Sequence, residues 1–488
     1  MGCLLPDYVG NSAGGAGGAS GPGGSGAAGG GGTGGADGGA GVGGGDSCPP
    51  APFATQIGDG NNTVFVQHAA PLAHGGVAVL GSYSGDLPLT IGRDLPAAAD
   101  GELIFVAVFD RNGAAQWAKS FGGGSFRANG LAATSDGGLA LAMSGTGPGT
   151  EPTGGTFNSN DNTGLLFVLD SEGSLQWDAT IDGLGDQSIS AIAVTADDDV
   201  VVTGSSRGKL VIAGEPRPAE SDQASPFYAR FSSGGVAEER ILWPVTGSGA
   251  GRAVAVHSDG AVYVAGDYDG DFGPSKPELP SEAASRDGFL LEIASDKVVR
   301  AMGFGSSDRF DTVAHLTLID DDLVIEGGTG PDGSAVFLFA DTQEAAMTAG
   351  LAGRYVGRMP RDATSGATIR YAQSSTGAAF DVTVGNITRS GAKNTLVSLW
   401  VQDGAIASVE GQTFAEPTVF VELGPQNTVL SNRALPDDAS LSAVWSSCGH
   451  FVYGSFKVGL DWYEEALSAP AGASTGVVAF HPNVLLRR

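Results

Sequence analysis

Four carboxylates fall at the spacing of a calcium-binding loop. In the stretch 267–278, DYDGDFGPSKPE, Asp267, Asp269 and Asp271 stand at positions 1, 3 and 5, and Glu278 stands at position 12. Oxygen ligands at those places can wrap a Ca2+ ion. Position 6, where such a loop turns on glycine, is Phe272, with Gly273 after it, and no helical pattern flanks the segment. The competing reading is an acidic loop between two strands. Zinc has no support, because there is neither a His-Glu-x-x-His nor a Cys-x-x-Cys pair.

Other groups could do chemistry in principle. Ser residues in Gly-Ser clusters such as GSYSG at Gly81 lack the strand-turn-helix setting of a nucleophile and read as strand ends. The six histidines are dispersed, with His74 and His450 expected in hairpin turns. Asp197–Asp199 and Asp320–Asp322 could supply paired carboxylates for glycoside hydrolysis. They also sit where a hairpin turn favours Asp. Trp117, Trp177 and Trp243 are read at one repeat position, which points to packing between repeats. Trp400, Trp445, Trp462 and Tyr463 break that pattern and are the candidates for an exposed binding patch.

The elements that must position these residues repeat seven times. An aromatic or bulky residue leading into a Gly-rich turn recurs at Phe53, Trp117, Trp177, Trp243, Met302, Tyr371 and Ala434, in steps of 64, 60, 66, 59, 69 and 63 residues. Repetition at this period signals stacked supersecondary units that bury a core only together. Each unit resolves into four strand-like segments. In the second, GLAATS from Gly130, LALAMSG from Leu139, LLFVLD from Leu165 and SLQWDAT from Ser174 are separated by turn residues such as Asp136, Gly137 and Gly138. A glycine closes the second segment at Gly81, Gly145, Gly204, Gly266, Gly327 and Gly454, whereas TLVSLWV from Thr395 lacks one. The fifth and sixth units are the least regular. One stretch, DWYEEALS from Asp461, looks helical and is expected to decorate a loop.

Seven four-stranded antiparallel units predict an all-β, seven-bladed β-propeller over residues 50–488. A lone fourth strand stands first, at Phe53, and the last unit ends after its third. The N-terminal strand should therefore complete the last blade and remove an open edge. Cys48 then lies at the same end of that blade as Cys448. The lateral gap of about 10–15 Å, at roughly 4.8 Å per strand, is within reach of the connecting residues. A Cys48–Cys448 disulfide is expected, two free thiols being the alternative.

Residues 1–49 have a different character. From residue 10 to 47 the chain is almost all Gly, Ser and Ala, and nothing there can form a core. A flexible chain of 38 residues averages roughly 30–37 Å end to end, which makes it a tether. The formal charge is −29, from 54 acidic against 25 basic residues, and a surface this acidic repels phosphate backbones. Nucleic acid is therefore not an expected partner. No run of 18 apolar residues offers a membrane-spanning helix.

Cys3 followed by a long tether and a β domain resembles the bacterial exported lipoproteins, in which a cysteine after a short apolar leader carries the lipid. The resemblance implies such a leader upstream of Met1, lipidation at Cys3, and residence outside the cytoplasm as an outer-membrane or surface lipoprotein, or as a secreted protein. FVAVFDRNGAAQWAKSFGGG, followed by GLAATSDGGLALAMSG, resembles the bacterial β-propeller repeat family of exported proteins. That family implies a propeller and no defined catalysis. LDSEGSLQW, from Leu169, is similar to the repeat of quinoprotein-type propellers, without their adjacent cysteine pair. The function expected is a monomeric, non-catalytic scaffold that binds a protein or glycan partner through the loops after Gly81, Gly145 and Gly266. The membrane is reached only through a lipid anchor. The competing expectation is a polysaccharide hydrolase or lyase with acids in a central channel.

Overall fold

The computed structural model describes residues 48–272, 286–304, 311–329, 337–339, 342–344, 353–362, 368–374, 382–391, 393–401, 407–409, 412–414, 416, 418–435, 439–457, 459–462, 465–468 and 474–481. The described residues contain strands and turns and no helix. Cys3 and the Gly-rich tether lie outside them.

The chain opens with β1 (Phe53–Ile57). Sheet one holds β2 (Thr63–Pro71), β3 (Val77–Gly85), β6 (Ala98–Phe109) and β7 (Ala115–Phe121), with a small ribbon of β4 (Leu89–Thr90) and β5 (Asp94–Leu95) between β3 and β6. Sheet two holds β8 (Arg127–Ala133), β9 (Leu139–Thr150), β10 (Thr156–Leu169) and β11 (Leu175–Leu184). Sheet three holds β12 (Gln187–Val194), β13 (Val200–Ile212), β14 (Glu215–Phe231) and β15 (Ala237–Leu242). Sheet four holds β16 (Gly249–Val256), β17 (Val262–Asp269), β18 (Arg286–Ala294) and β19 (Lys297–Phe304).

Sheet five holds β20 (Asp311–Ile319), β21 (Asp322–Thr329), β24 (Gly353–Pro360) and β25 (Thr368–Ser374), with the ribbon β22 (Phe337–Phe339) and β23 (Thr342–Glu344) after β21. Sheet six holds β26 (Val382–Ser390), β27 (Asn394–Val401), β30 (Thr418–Leu423) and β31 (Val429–Leu435), with the ribbon β28 (Ala407–Val409) and β29 (Gln412–Phe414) after β27. Sheet seven holds β32 (Ala439–Ser446), β33 (Gly449–Phe456) and β36 (Thr475–His481), with the ribbon β34 (Gly459–Trp462) and β35 (Glu465–Ser468) before β36. Its fourth strand is β1, which runs antiparallel to β36 from Phe53↔Phe480 to Ile57↔Gly476. The expected clasp is present, and Cys48 is disulfide-bonded to Cys448.

The central strands are apolar runs, such as Val77–Leu80 and Leu139–Met143, because both faces of each sheet are covered. Seven buried apolar clusters among the described residues each draw on two consecutive sheets. One of them joins Phe53, Phe451 and Phe480 of sheet seven to Val79 and Phe105 of sheet one. The first strand of each sheet also packs against the first strand of the next, and β32 packs against β2.

The recurrent glycine of the second strand answers a steric need. The first strands of sheets one to six carry a β-bulge at a matching place, as at Val66/His68 and Val313/His315. A Cβ on Gly81 would meet the carbonyl oxygen of Phe65 beside that bulge and the ring of Phe105 on the third strand. In sheet six the glycine has moved to the bulge itself, where Gly385 leaves room for the Trp400 ring.

The loops between second and third strands do more than project. Backbone pairing links Gly122 to Thr150 and Val245 to Phe272. Longer pairings join Ile181–Leu184 to Lys209–Ile212 and Ala372–Ser374 to Ala407–Val409. Each stitches the end of one sheet's fourth strand to the loop or ribbon of the next. The stretch from Asp461 is part of such a ribbon, with Trp462 paired to Glu465, and not a helix. Its polar residues match a helical spacing, but the tight reversal brings Asp461 opposite Ala466 as a hairpin does.

Candidate functional site

Two carboxylates of the calcium-like segment, Asp267 and Asp269, are held by arginines. Asp267 is fully buried on β17 and accepts from Arg252 Nε at 2.7 Å, with Arg286 Nη1 at 3.4 Å. Asp269 faces Arg286 Nη2 at 3.2 Å and accepts from Ser248 Oγ at 3.1 Å. Asp271 is exposed, and its backbone N–H donates to Thr246 Oγ1. Glu278 lies outside the described residues. No three His, Cys, Asp or Glu side chains cluster to hold a metal among the described residues. Spacing along the chain gave no hint of Arg252 and Arg286, which reach Asp267 from the neighbouring strands β16 and β18.

The aromatic candidates part company. The Trp400 indole N–H donates to the Leu441 carbonyl at 2.8 Å, across the junction of sheets six and seven. The Trp445 backbone N–H donates to Thr388 Oγ1 across the same junction, and its ring meets His450 edge-on at 4.8 Å. Both are half-buried. Trp462 is on β34, and Tyr463 lies outside the described residues. His450 is not in a turn: it is buried on β33, opposite Trp445. Burial pushes its ring down to about 4, against the pull of the Arg389 carbonyl.

The acid runs serve turns and junctions. Asp198 adopts a left-handed backbone and accepts from Ser135 N–H at 2.7 Å and Ser135 Oγ at 2.5 Å, between sheets three and two. Asp199 holds Arg230 at 2.6 Å, Asp320 holds Arg389 at 3.0 Å, and Asp322 holds Arg358 at 2.7 Å. Among the described residues the carboxyls raised above their ordinary range are Asp178 and Asp182, both through burial, with Glu151 adding to the first. Both sit on β11, the fourth strand of sheet two.

The Trp repeat position needs one correction. Trp117 and Trp177 are equivalent, paired with Val108 and Val168 one step from a bulge. In sheet three that register places Glu239 opposite Arg230, and Trp243 comes four residues later. Trp243 is fully buried and packs near Phe272. Matching the sequences on the Trp letter misaligned the unit, because strand pairing and not letter identity sets the register.

What remains is the set of first strands, β2, β8, β12, β16, β20, β26 and β32, each at the edge of its sheet. At the bulge these present Gln67, Asn129, Ser190, Arg252, Ala314 and Gly385. His68 follows the bulge and contacts the Ala128 carbonyl of the next sheet at 3.4 Å. Burial lowers its ring to about 4, and the charge of His315 adds to the effect. His315 Nδ1 lies 2.8 Å from Glu326 Oε2, and Arg354 Nη2 lies 2.6 Å from Oε1. Burial alone would raise the Glu326 carboxyl, but Arg354 and His315 hold it below its ordinary value. Sequence reasoning missed this group, since its members are 11 and 28 residues apart on three strands.

No family model matches the chain. No curated protein matches either. Among solved structures, a protein of unknown function from Bacteroides caccae aligns at 12% identity over 56% of this chain and 82% of its own, with a TM-score of 0.28.

Proposed function

We propose that the seven sheets are the blades of a closed β-propeller that works as a non-catalytic binding scaffold outside the cytoplasm. The ring is supported by the apolar clusters between consecutive sheets, the seventh and first included. It is supported again by the contacts of each first strand with the next, β32 with β2 included. The disulfide is compatible with an oxidising compartment. A lipid at Cys3 and the tether that follows would hold the ring near a membrane, as a monomer.

The observation that carries the binding role is the division of labour within the repeat. Motif residues shared between units serve turns and junctions, while the loops between second and third strands differ from sheet to sheet. Variable loops on a rigid frame are where binding specificity concentrates. The partner fitting such a surface is a protein or a glycan. No observation favours the hydrolase reading: the raised carboxyls Asp178 and Asp182 are on an outer strand, and Glu326 is neutralised by Arg354.

Glycan-array binding and cross-linking to envelope proteins test this reading. Replacing the ribbon tip 151–155 by a two-residue turn should change or abolish the partner while the melting temperature holds. Turnover of any polysaccharide in an incubation panel would overturn the non-catalytic reading.

A further inference from the structure

The seven first strands depart from the composition of the rest of the chain. The protein carries 54 acidic residues against 25 basic ones. The first strands contain a single acid, Asp311, which is fully buried, yet they keep Arg127, Arg252 and Arg389. The carboxylates next to them, Asp267 and Glu326, are also buried and are matched by arginines. The accessible face of these strands is therefore neutral to cationic inside an acidic protein.

Several groups on these strands have spare donors. Arg127 is exposed and makes no hydrogen bond or ion pair with the described residues. Arg252 is 43% exposed and commits Nε to Asp267, which leaves the two terminal amino groups of its guanidinium without a partner among the described residues. Gln67 is exposed and Ser190 half-buried, both at the bulge. A bulge turns one extra side chain out of the pleat, and here it does so at one level in successive sheets.

We propose that this axial face is a binding site for a small oxyanion, a carboxylate or a phosphate, gripped by Arg127 and Arg252 with Gln67 and Ser190 as neutral donors. The site rests on the ring reading above, since a ring brings these strands to one axis. Planar guanidinium donors match the two oxygens of a carboxylate or phosphate. Repulsion from the acidic outer surface is screened over about 8 Å at physiological salt, so local contacts decide the binding.

Calorimetric titration of the full chain with inorganic phosphate and with glucuronate, glucose serving as the neutral control, tests the site. Saturable heat with phosphate alone assigns a phosphate-bearing ligand, with glucuronate alone a carboxylate, and with both a general oxyanion site. Arg127→Gln and Gln67→Glu change exposed side chains without breaking a described contact, and each should weaken binding about tenfold at an unchanged melting temperature. No heat with either anion, or equal affinity in both variants, overturns the site. Electron microscopy separates the two failures. A seven-lobed ring with flat titrations removes the oxyanion site alone, and particles without a ring remove the reading on which it rests.

Discussion

The indole N–H of Trp117 donates to the carbonyl oxygen of Ser171 at 2.8 Å, across the junction between sheets one and two. Trp177 repeats the bond to Ser233 of sheet three at 2.9 Å. Each ring lies against the glycine of the turn it reaches, Gly173 and Gly235, and both glycines have a positive φ. Phe53 of the clasp packs in the same way on Gly113 of sheet one. In sheets seven, one and two an aromatic thus covers the next sheet's turn. The turn is in turn shaped by an Asp whose carboxylate accepts backbone N–H groups: Asp110 from Asn112 and Ala114, Asp170 from Glu172 and Ser174.

Trp117→Phe should therefore cost about 1 kcal/mol, the usual worth of one hydrogen bond. Trp117→Ala should cost about 2 kcal/mol, because the half-buried ring is lost as well. Urea denaturation midpoints check both. An Ala variant as stable as the wild type would show that this junction contributes nothing.

The Cys48–Cys448 bond joins residues 400 positions apart, so it constrains nearly the whole unfolded chain. Reduction, or Cys48→Ser with Cys448→Ser, should lower stability by roughly 3–5 kcal/mol. Thermal scans with and without reductant should differ for the wild type and coincide for the double variant. Limited proteolysis of the reduced protein should release β1 first, since that strand is paired along one edge to β36.

The all-β class, the four-strand antiparallel sheet, the offset that pairs β1 with the last strand and the disulfide were all legible in the sequence. They follow from local patterns: Asp and Gly in turns, apolar runs in covered strands, and cysteines flanking the offset strand. The turn from Asp110 to Trp117 reads from the letters alone, because Gln116 and Asp110 that meet at 3.2 Å are six residues apart. The Arg252–Asp267–Arg286 group did not read, because its members meet only through strand pairing. The acid spacing of 267–278 suits a metal loop and an acidic loop alike, because spacing says nothing of what the neighbouring strands bring to each carboxylate. Trp243 misled because its unit has Glu239 at the covering position, and the turn it would have covered in sheet four is the tight pair Ser295 and Asp296, without a glycine.

Acid should weaken the fold through two histidines whose packing disfavours their charged form. His450 and His68 ionise at about 4 in the folded chain, against 6.5 for an unburied ring. Below 6.5 the unfolded chain binds protons that the folded chain refuses, so stability is full above that pH and falls as pH drops towards 4. The slope is about 1.4 kcal/mol per pH unit for each such ring. His450→Gln should flatten the dependence between pH 6.5 and 4 by about that amount, as measured by denaturation midpoints at several pH values. An unchanged slope would show that His450 is charged in the fold.

Glu326 is the sharpest test of the buried polar group in sheet five. Glu326→Gln keeps the shape but leaves the half-buried Arg354 and His315 facing a neutral amide, and should cost about 3 kcal/mol. Replacing both charged partners, as Glu326→Leu with Arg354→Met, should recover most of that loss, because neither charge is then stranded. The carboxyl is held below its ordinary value, so its contribution is present above pH 4.5 and is lost as pH falls through the lower folded value. The Leu/Met variant should therefore lose this part of the acid sensitivity while the His450 part remains. If Glu326→Gln is instead as stable as the wild type, the carboxylate is not holding Arg354, and the neutral character argued for the axial face loses one of its two buried pairs.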